Sequence, residues 1–138
     1  MQELRTSMDR RLLVVDDDKS VRDLFQSTFS ESHCDVYLAE SGKQALDILE
    51  GHDIDLILLD LKLFGMNGID LCRQIKRNKP ISIIYAITGW TGLFEVVECR
   101  EAGFDDYFTK PIQFDLFSKA VEDAFERLAR WKRRYPVR

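Results

Sequence analysis

LLVVDDDK, residues 12–19, sets four apolar side chains directly before three consecutive carboxylates and a lysine. A run of β-branched and apolar residues reads as a buried strand, so a first strand is expected over 11–15 with the charges at its carboxyl end. Adjacent like charges repel, and each raises the pKa of its neighbours. Asp18 has an ordinary explanation as the cap of a following helix, and Asp17 could serve that purpose instead. Asp16 and at least one further carboxylate then have to be explained by what the fold brings near them.

Outward from this stretch, apolar runs alternate five times with amphipathic ones. Residues 19–29 place Val21, Leu24, Phe25 and Thr28 at helical spacing. DVYLA (35–39) reads as a second strand, and Ser41 with Gln44 three residues on forms a capping box for a helix closed by Gly51. DLILL (55–59) is a third strand. Asn67, followed by Asp70, looks like the cap of a helix carrying Ile69, Leu71, Cys72 and Ile75. ISIIYAI (81–87) is a fourth strand, and a helix over 91–102 stops at Gly103. DDYFT (105–109) is shorter and more polar, as an edge strand tends to be, and a long helix starts after Pro111. Near-continuous hydrophobic strands argue for a parallel sheet covered on both faces. The expected fold is therefore α/β, a doubly wound five-stranded parallel sheet with five helices, whose ligands bind at the carboxyl ends of the strands.

At 138 residues the chain is long enough for one domain and too short for two ordinary ones. Its 45% hydrophobic and 32% charged residues are those of a globular protein. No apolar run approaches the ~20 residues of a membrane span, and MQELRTSMDRR lacks the apolar stretch of a signal peptide. Cys34, Cys72 and Cys99 have no CxxC spacing and leave one over from any pairing, so they read as reduced thiols of a cytoplasmic protein. His33 and His52 stand apart from each other and from the cysteines, which argues against a zinc site. RLARWKRRYPVR, from Arg127 onward, holds six bases and no acids, leaving −10 on the preceding residues of a chain whose net charge is −4. That acidic body would repel nucleic acid, and the basic tail also reads simply as a solvated helix end complementing the helix dipole.

The polar residues expected at the strand ends are Asp16 and Asp17, Asp60 in LILLDLK, Thr88 in YAITG and Lys110 in YFTKP. Each has a plain alternative: a cap, a strand-to-loop transition, a β-branched strand residue, a solvated charge. Gathered on one rim they share no such explanation. A hard, oxygen-seeking ion would relieve the carboxylates, and Mg²⁺ needs only a few protein oxygens plus water. Three carboxylates, one Mg²⁺ and one lysine balance to zero charge.

The segments VVDDD, LLDLKLFGMNG, AITG and DDYFTKPI, in that order and at these spacings, resemble those of the response-regulator receiver domain. The resemblance runs from about Arg11 to about Leu128, leaving 1–10 as an N-terminal extension and 129–138 as a basic extension of the last helix. It implies a flavodoxin-like sheet of order 2-1-3-4-5 and a cis peptide at Lys110–Pro111. It implies that Asp60 is a phosphoacceptor served by a sensor histidine kinase, a histidine phosphotransfer protein or a small phosphodonor. Asp17, Asp60 and the backbone carbonyl of Lys62 would ligate Mg²⁺ directly, with Asp16 acting through water. Lys110 and the Thr88 hydroxyl would bond the phosphoryl oxygens, and Tyr107 would be the aromatic switch coupled to Thr88. The output would be protein docking by a downstream partner or a second copy through the fourth helix, fifth strand and fifth helix, without nucleic acid or membrane. Such a domain catalyses only its own phosphorylation and dephosphorylation.

Departures from the family pattern are Leu63-Phe64, where Met-Pro is frequent, with Lys62 two residues after the acceptor and Trp90 two after Thr88. Lys62 and Trp90 are expected to crowd an attacking water and prolong the phosphoryl group's lifetime. Two other functions compete. A phosphohydrolase of the haloacid-dehalogenase type needs a second acid two residues after its nucleophile, where this chain has Lys62. An unphosphorylated pseudo-receiver scaffold would not need the acceptor-site residues. In the final helix Phe114, Phe117, Val121, Ala124, Leu128 and Trp131 recur at seam spacing. About 20 helical residues outrun a five-residue strand. Leu128 and Trp131 are therefore expected on an exposed stripe flanked by Arg127, Arg130, Lys132 and Arg133, with Phe125 sharing a surface with Tyr107.

Overall fold

The computed structural model describes residues 10–89 and 92–134; the expectations for Trp90 and for most of the N-terminal extension lie outside the described residues, as does the Arg133 side chain. Strands β1 (Arg11–Val15), β2 (Asp35–Ala39), β3 (Leu56–Asp60), β4 (Ile83–Thr88) and β5 (Asp106–Thr109) form one parallel sheet of order β2-β1-β3-β4-β5. The helices are α1 (Lys19–Phe29), α2 (Gly42–Gly51), α3 (Gly68–Asn78), α4 (Leu93–Ala102) and α5 (Phe114–Arg134). Each βαβ crossover carries a helix, which returns every strand to the same direction and gathers all five carboxyl ends on one rim.

The hydrophobic strand runs are needed because both faces are covered. Leu13, Val15, Ile57, Leu59, Ile84 and Ala86 face one core with α2, α3 and α4. Leu12, Val14, Leu56, Leu58, Tyr85 and Ile87 face the other with α1 and α5. Side chains alternate across a strand, so each strand feeds both cores. In the second core Phe117 touches Phe25, Phe29, Phe108 and Phe114 at ring separations of 4.8–6.4 Å.

The caps read from the sequence form largely as expected. Asp18 accepts from the Ser20 amide, Ser41 from Gln44, and Asn67 from Ile69, while Gln44 accepts in return from the Glu40 amide. Gly103 ends α4 in the left-handed region at φ 110°. Gly51, however, is the last helical residue, and α2 is closed by His52 in an extended conformation. Leu24 is also not part of the buried face: Phe25 and Phe29, one turn apart, point to the sheet and leave Leu24 half exposed.

The apolar stripe of α5 is shorter than expected. Leu128 is buried, because the α1/α5 core continues down to Leu12, Leu56 and Ile83 near the amino ends of the strands. Phe125 is buried too, beneath the Arg10 guanidinium at 5.3 Å from its ring centroid. It lies on the opposite side of the sheet from Tyr107, so the two share no surface. Trp131 is half exposed. The end of α5 is tied back to the sheet: Lys132 Nζ sits 2.6 Å from Asp55 Oδ1, while Asp55 Oδ2 accepts from the Arg11 amide. Cys34, Cys72 and Cys99 are all buried free thiols, with Cys34 and Cys72 pushed up to about 12 by burial.

Candidate functional site

The end of β1 turns sharply into α1, and the backbone on both sides of Asp17 is held. The Asp16 amide donates to Ala39 O at 3.0 Å, extending the ladder with β2. The Asp16 carboxylate accepts from the Asp18 amide at 2.9 Å, and the Asp16 carbonyl accepts from Arg22 Nη1 at 2.8 Å. Asp16 is thereby buried, whereas Asp17 stands exposed next to it. Asp18 is occupied as the α1 cap, and hydrogen bonds from the Ser20 hydroxyl and then the Ser20 amide keep its carboxyl below the usual value. Of the three consecutive carboxylates, two are left for the site.

Asp60 is the last residue of β3, one position later than the strand expected from the sequence, and is buried. Its Oδ1 accepts from the Lys62 amide at 3.1 Å. The chain then makes a two-stranded hairpin, Lys62–Leu63 against Met66–Asn67, with Gly65 at φ 82° in the turn. The hairpin folds back so closely that a Cβ on Gly68 would lie 2.5 Å from Asp60 O and 2.7 Å from Leu61 Cα. Any side chain there would have to displace the backbone next to Asp60. Phe64, at the hairpin tip, is 87% exposed.

Lys110 follows β5, its amide donating to Thr88 O at 2.8 Å, and the Lys110–Pro111 peptide is cis. Its Nζ reaches Asp16 Oδ2 at 3.0 Å and Asp60 Oδ2 at 3.4 Å. Thr88, fully buried at the end of β4, pairs in register with Thr109. The structure thus brings Asp16, Asp17, Asp60 and Lys110 together, with Thr88 on the adjoining strand end and the Lys62 backbone against Asp60.

The electrostatics follow from this packing. Burial raises the Asp60 pKa, the Lys62 amide opposes the rise, and the Asp16 charge adds to it. Burial acts to lower Lys110, but its hydrogen bond to Asp16 and the charges of Asp16 and Asp60 outweigh that and raise it. Asp16, Asp17 and Asp60 each offer a carboxylate oxygen, and these lie within 4.8 Å of one another. With Lys110 in place two negative charges remain unmatched. The donor set, all hard oxygens, suits a small divalent cation such as Mg²⁺.

Tyr107 on β5 lies half-buried against the α2/α3/α4 core. Its hydroxyl donates to Glu95 Oε1 on the first turn of α4 at 3.2 Å, and burial with the nearby Glu95 charge pushes its pKa up to about 12. Glu95 and Arg22 were not among the residues expected from sequence. Each acts through a side-chain arm spanning two elements, which no local pattern announces.

The response regulator receiver domain model matches residues 12–122. The chain is 38% identical over 104 residues to the alkaline phosphatase synthesis transcriptional regulatory protein PhoP of Bacillus subtilis, a match spanning 75% of this chain and 43% of that protein. Among solved structures, a CheY-like receiver domain protein from Methanospirillum hungatei superposes with a TM-score of 0.81 at 29% identity, over 88% of this chain and 98% of that one. The receiver domain of a LuxO repressor protein from Vibrio parahaemolyticus gives 0.84 at 26% identity, over 94% and 98%. These matches agree with the acidic rim and the sheet order, and the chain belongs to the response regulator receiver domain family, a signalling domain of two-component systems.

Proposed function

We propose that this receiver, spanning about residues 11–128, takes a phosphoryl group onto Asp60 and uses it to switch a protein-docking face. The observation that carries this reading is a buried carboxylate at the end of β3 with two further carboxylates within 4.8 Å and a lysine ammonium at 3.4 Å. An Asp60 oxygen attacks the phosphorus of a phosphohistidine on a sensor kinase or phosphotransfer protein. As the new O–P bond forms the N–P bond breaks in line, and the departing imidazole nitrogen takes up a proton. Asp17, Asp60 and the Lys62 carbonyl, with Asp16 through water, would hold Mg²⁺, which would supply Lewis-acid and template chemistry to the transfer. Lys110, already between Asp16 and Asp60, pairs with the phosphoryl oxygens, and the Thr88 hydroxyl donates to one of them. The chain performs no chemistry beyond gaining and losing this group, in keeping with a cytoplasmic relay component.

The switch follows from replacing a monoanion by a dianion. Thr88 is drawn toward the phosphoryl group, and Tyr107, two strand positions before Thr109, moves into the space released. Tyr107 contacts α4 through Glu95, and α4 exposes Val96 and Val97. A face of α4, β5 and α5 that engages a downstream protein or a second copy is the readout consistent with this.

Intact-mass measurement after incubation with acetyl phosphate and Mg²⁺ tests the reading. One phosphoryl adduct, absent from Asp60→Asn, is expected. Continuous phosphate release without an adduct would favour a phosphohydrolase, and neither outcome would leave a pseudo-receiver scaffold.

A further inference from the structure

We infer that Arg22 is a positioning residue for the divalent-cation site and biases that site toward Mg²⁺ over Ca²⁺. The inference rests on reading Asp16, Asp17 and Asp60 as the cation's carboxylates. Arg22 lies on the first turn of α1, yet its side chain is only 13% exposed, unusual for an arginine beside an open rim. Its guanidinium does not pair with the site's carboxylates. One arm, Nη1, donates to the backbone carbonyl of Asp16 at 2.8 Å, and the other, Nη2, lies 3.6 Å from Glu40 Oε2 just beyond β2. Its own amide donates to Asp18 O at 3.1 Å, so backbone and side chain of one residue grip both ends of the acidic turn.

The carbonyl that Arg22 holds belongs to the peptide joining Asp16 to Asp17. A peptide unit is planar, so fixing its oxygen orients the plane, and with it the backbone from which both carboxylates project. The Asp16 carboxylate has its own restraints, the Asp18 amide and Lys110. Exposed Asp17 depends more on the backbone beneath it.

Charge alone would give Arg22 the opposite effect, because a guanidinium near a cation site repels the cation. If Arg22 favours binding, it does so through geometry. Mg²⁺ demands near-ideal octahedral oxygens at 2.0–2.1 Å, whereas Ca²⁺ accepts six to eight at 2.3–2.6 Å in flexible arrangements. A loosened turn should therefore penalise Mg²⁺ more than Ca²⁺.

The test is calorimetric titration of the wild type, Arg22→Met and Arg22→Lys with MgCl₂ and separately with CaCl₂, with melting curves in chelator as the check on folding. Arg22→Met is expected to weaken Mg²⁺ binding about tenfold, the scale of losing an outer partner of a metal ligand, and to weaken Ca²⁺ binding less. Arg22→Lys, which keeps the charge but cannot reach Asp16 O and Glu40 together, should show a smaller loss in the same direction and carries the test if the Met variant does not fold. Tighter binding of both ions by Arg22→Met would overturn the inference in favour of a charge effect, and unchanged binding of both would overturn it outright. Equal weakening of both would reduce Arg22 to a general structural role. A wild type that binds neither ion would overturn the cation-site reading and this inference together, whereas a binding wild type with unaltered variants overturns this inference alone.

Discussion

Asp60→Asn should make the metal-free protein more stable, even as it removes the proposed acceptor. In the native state two other carboxylates bring oxygens to within 4.8 Å of the Asp60 carboxylate, and Lys110 Nζ is 3.4 Å away. At an effective dielectric of 20, each carboxylate at that separation costs about 3.5 kcal/mol while Lys110 contributes about 5 kcal/mol of attraction. The balance is a repulsion of about 2 kcal/mol, which desolvation increases and solvent around exposed Asp17 reduces. Asparagine keeps the shape and an oxygen to accept the Lys62 amide, so a gain of about 1–2 kcal/mol is expected, roughly 3–6 °C in melting temperature. The sign can be checked against pH. With its pKa raised above 3.8, Asp60 holds its proton more tightly in the native state than in the unfolded chain. The wild type therefore loses stability as pH rises from that value through the raised native one, and the variant does not. Thermal melts by circular dichroism in EDTA between pH 3.5 and 7 should show the two proteins converging at the acid end and separating above it. Added Mg²⁺ should close the gap by stabilising the wild type more. An Asn variant that melts below the wild type at pH 7 in chelator would refute the repulsion argument.

Gly68→Ala should lower stability by about 1–3 kcal/mol, since the new methyl meets backbone rather than movable side chains. It should also slow phosphoryl uptake by displacing Asp60, as chemical melts and the mass assay would show. His33, at φ 56° after the short 3₁₀ turn Ser30–Ser32, is a non-glycine residue in the left-handed region. His33→Gly should raise the unfolding free energy by about 0.5–1 kcal/mol in urea titrations. Lys132→Met should cost about 1–2 kcal/mol, below the figure for a fully buried pair because the lysine is half exposed while Asp55 is not. A double-mutant cycle with Asp55→Asn should recover part of that loss.

The sheet was legible because both covered faces demand hydrophobic strands, and LLVV, LILL and IIYAI supply them without help from their surroundings. The site was legible for a related reason: a parallel doubly wound sheet collects its strand ends, so Asp16, Asp17, Asp60, Thr88 and Lys110 could be assembled without coordinates. The Lys62–Asn67 hairpin was not, since two-residue strands have no measurable period. Nor were the long-armed pairings. Arg22 to Asp16 O, Tyr107 to Glu95 and Lys132 to Asp55 join residues whose proximity is decided only after helices pack. The same limit accounts for Leu128 and Phe125. Helical spacing identifies a stripe, but how far a core extends beneath it depends on its neighbours, here Leu12, Leu56, Ile83 and the Arg10 guanidinium.

The sheet also partitions the protein for anyone wishing to alter it. Tyr107 and α4 belong to one core, while the cluster of Phe25, Phe29, Phe108 and Phe117 belongs to the other. Side chains on opposite faces of a five-stranded wall do not touch. Volume-conserving substitutions inside the phenylalanine cluster therefore change stability modestly without changing the side chains packed on the tyrosine. Changes around Cys99 and Ala102 would act on the tyrosine at once. On the proposal that Tyr107 is the switch, substitutions aimed at stability and substitutions aimed at signalling belong on opposite sides of the strands, with the outer face of α5 left unaltered in both.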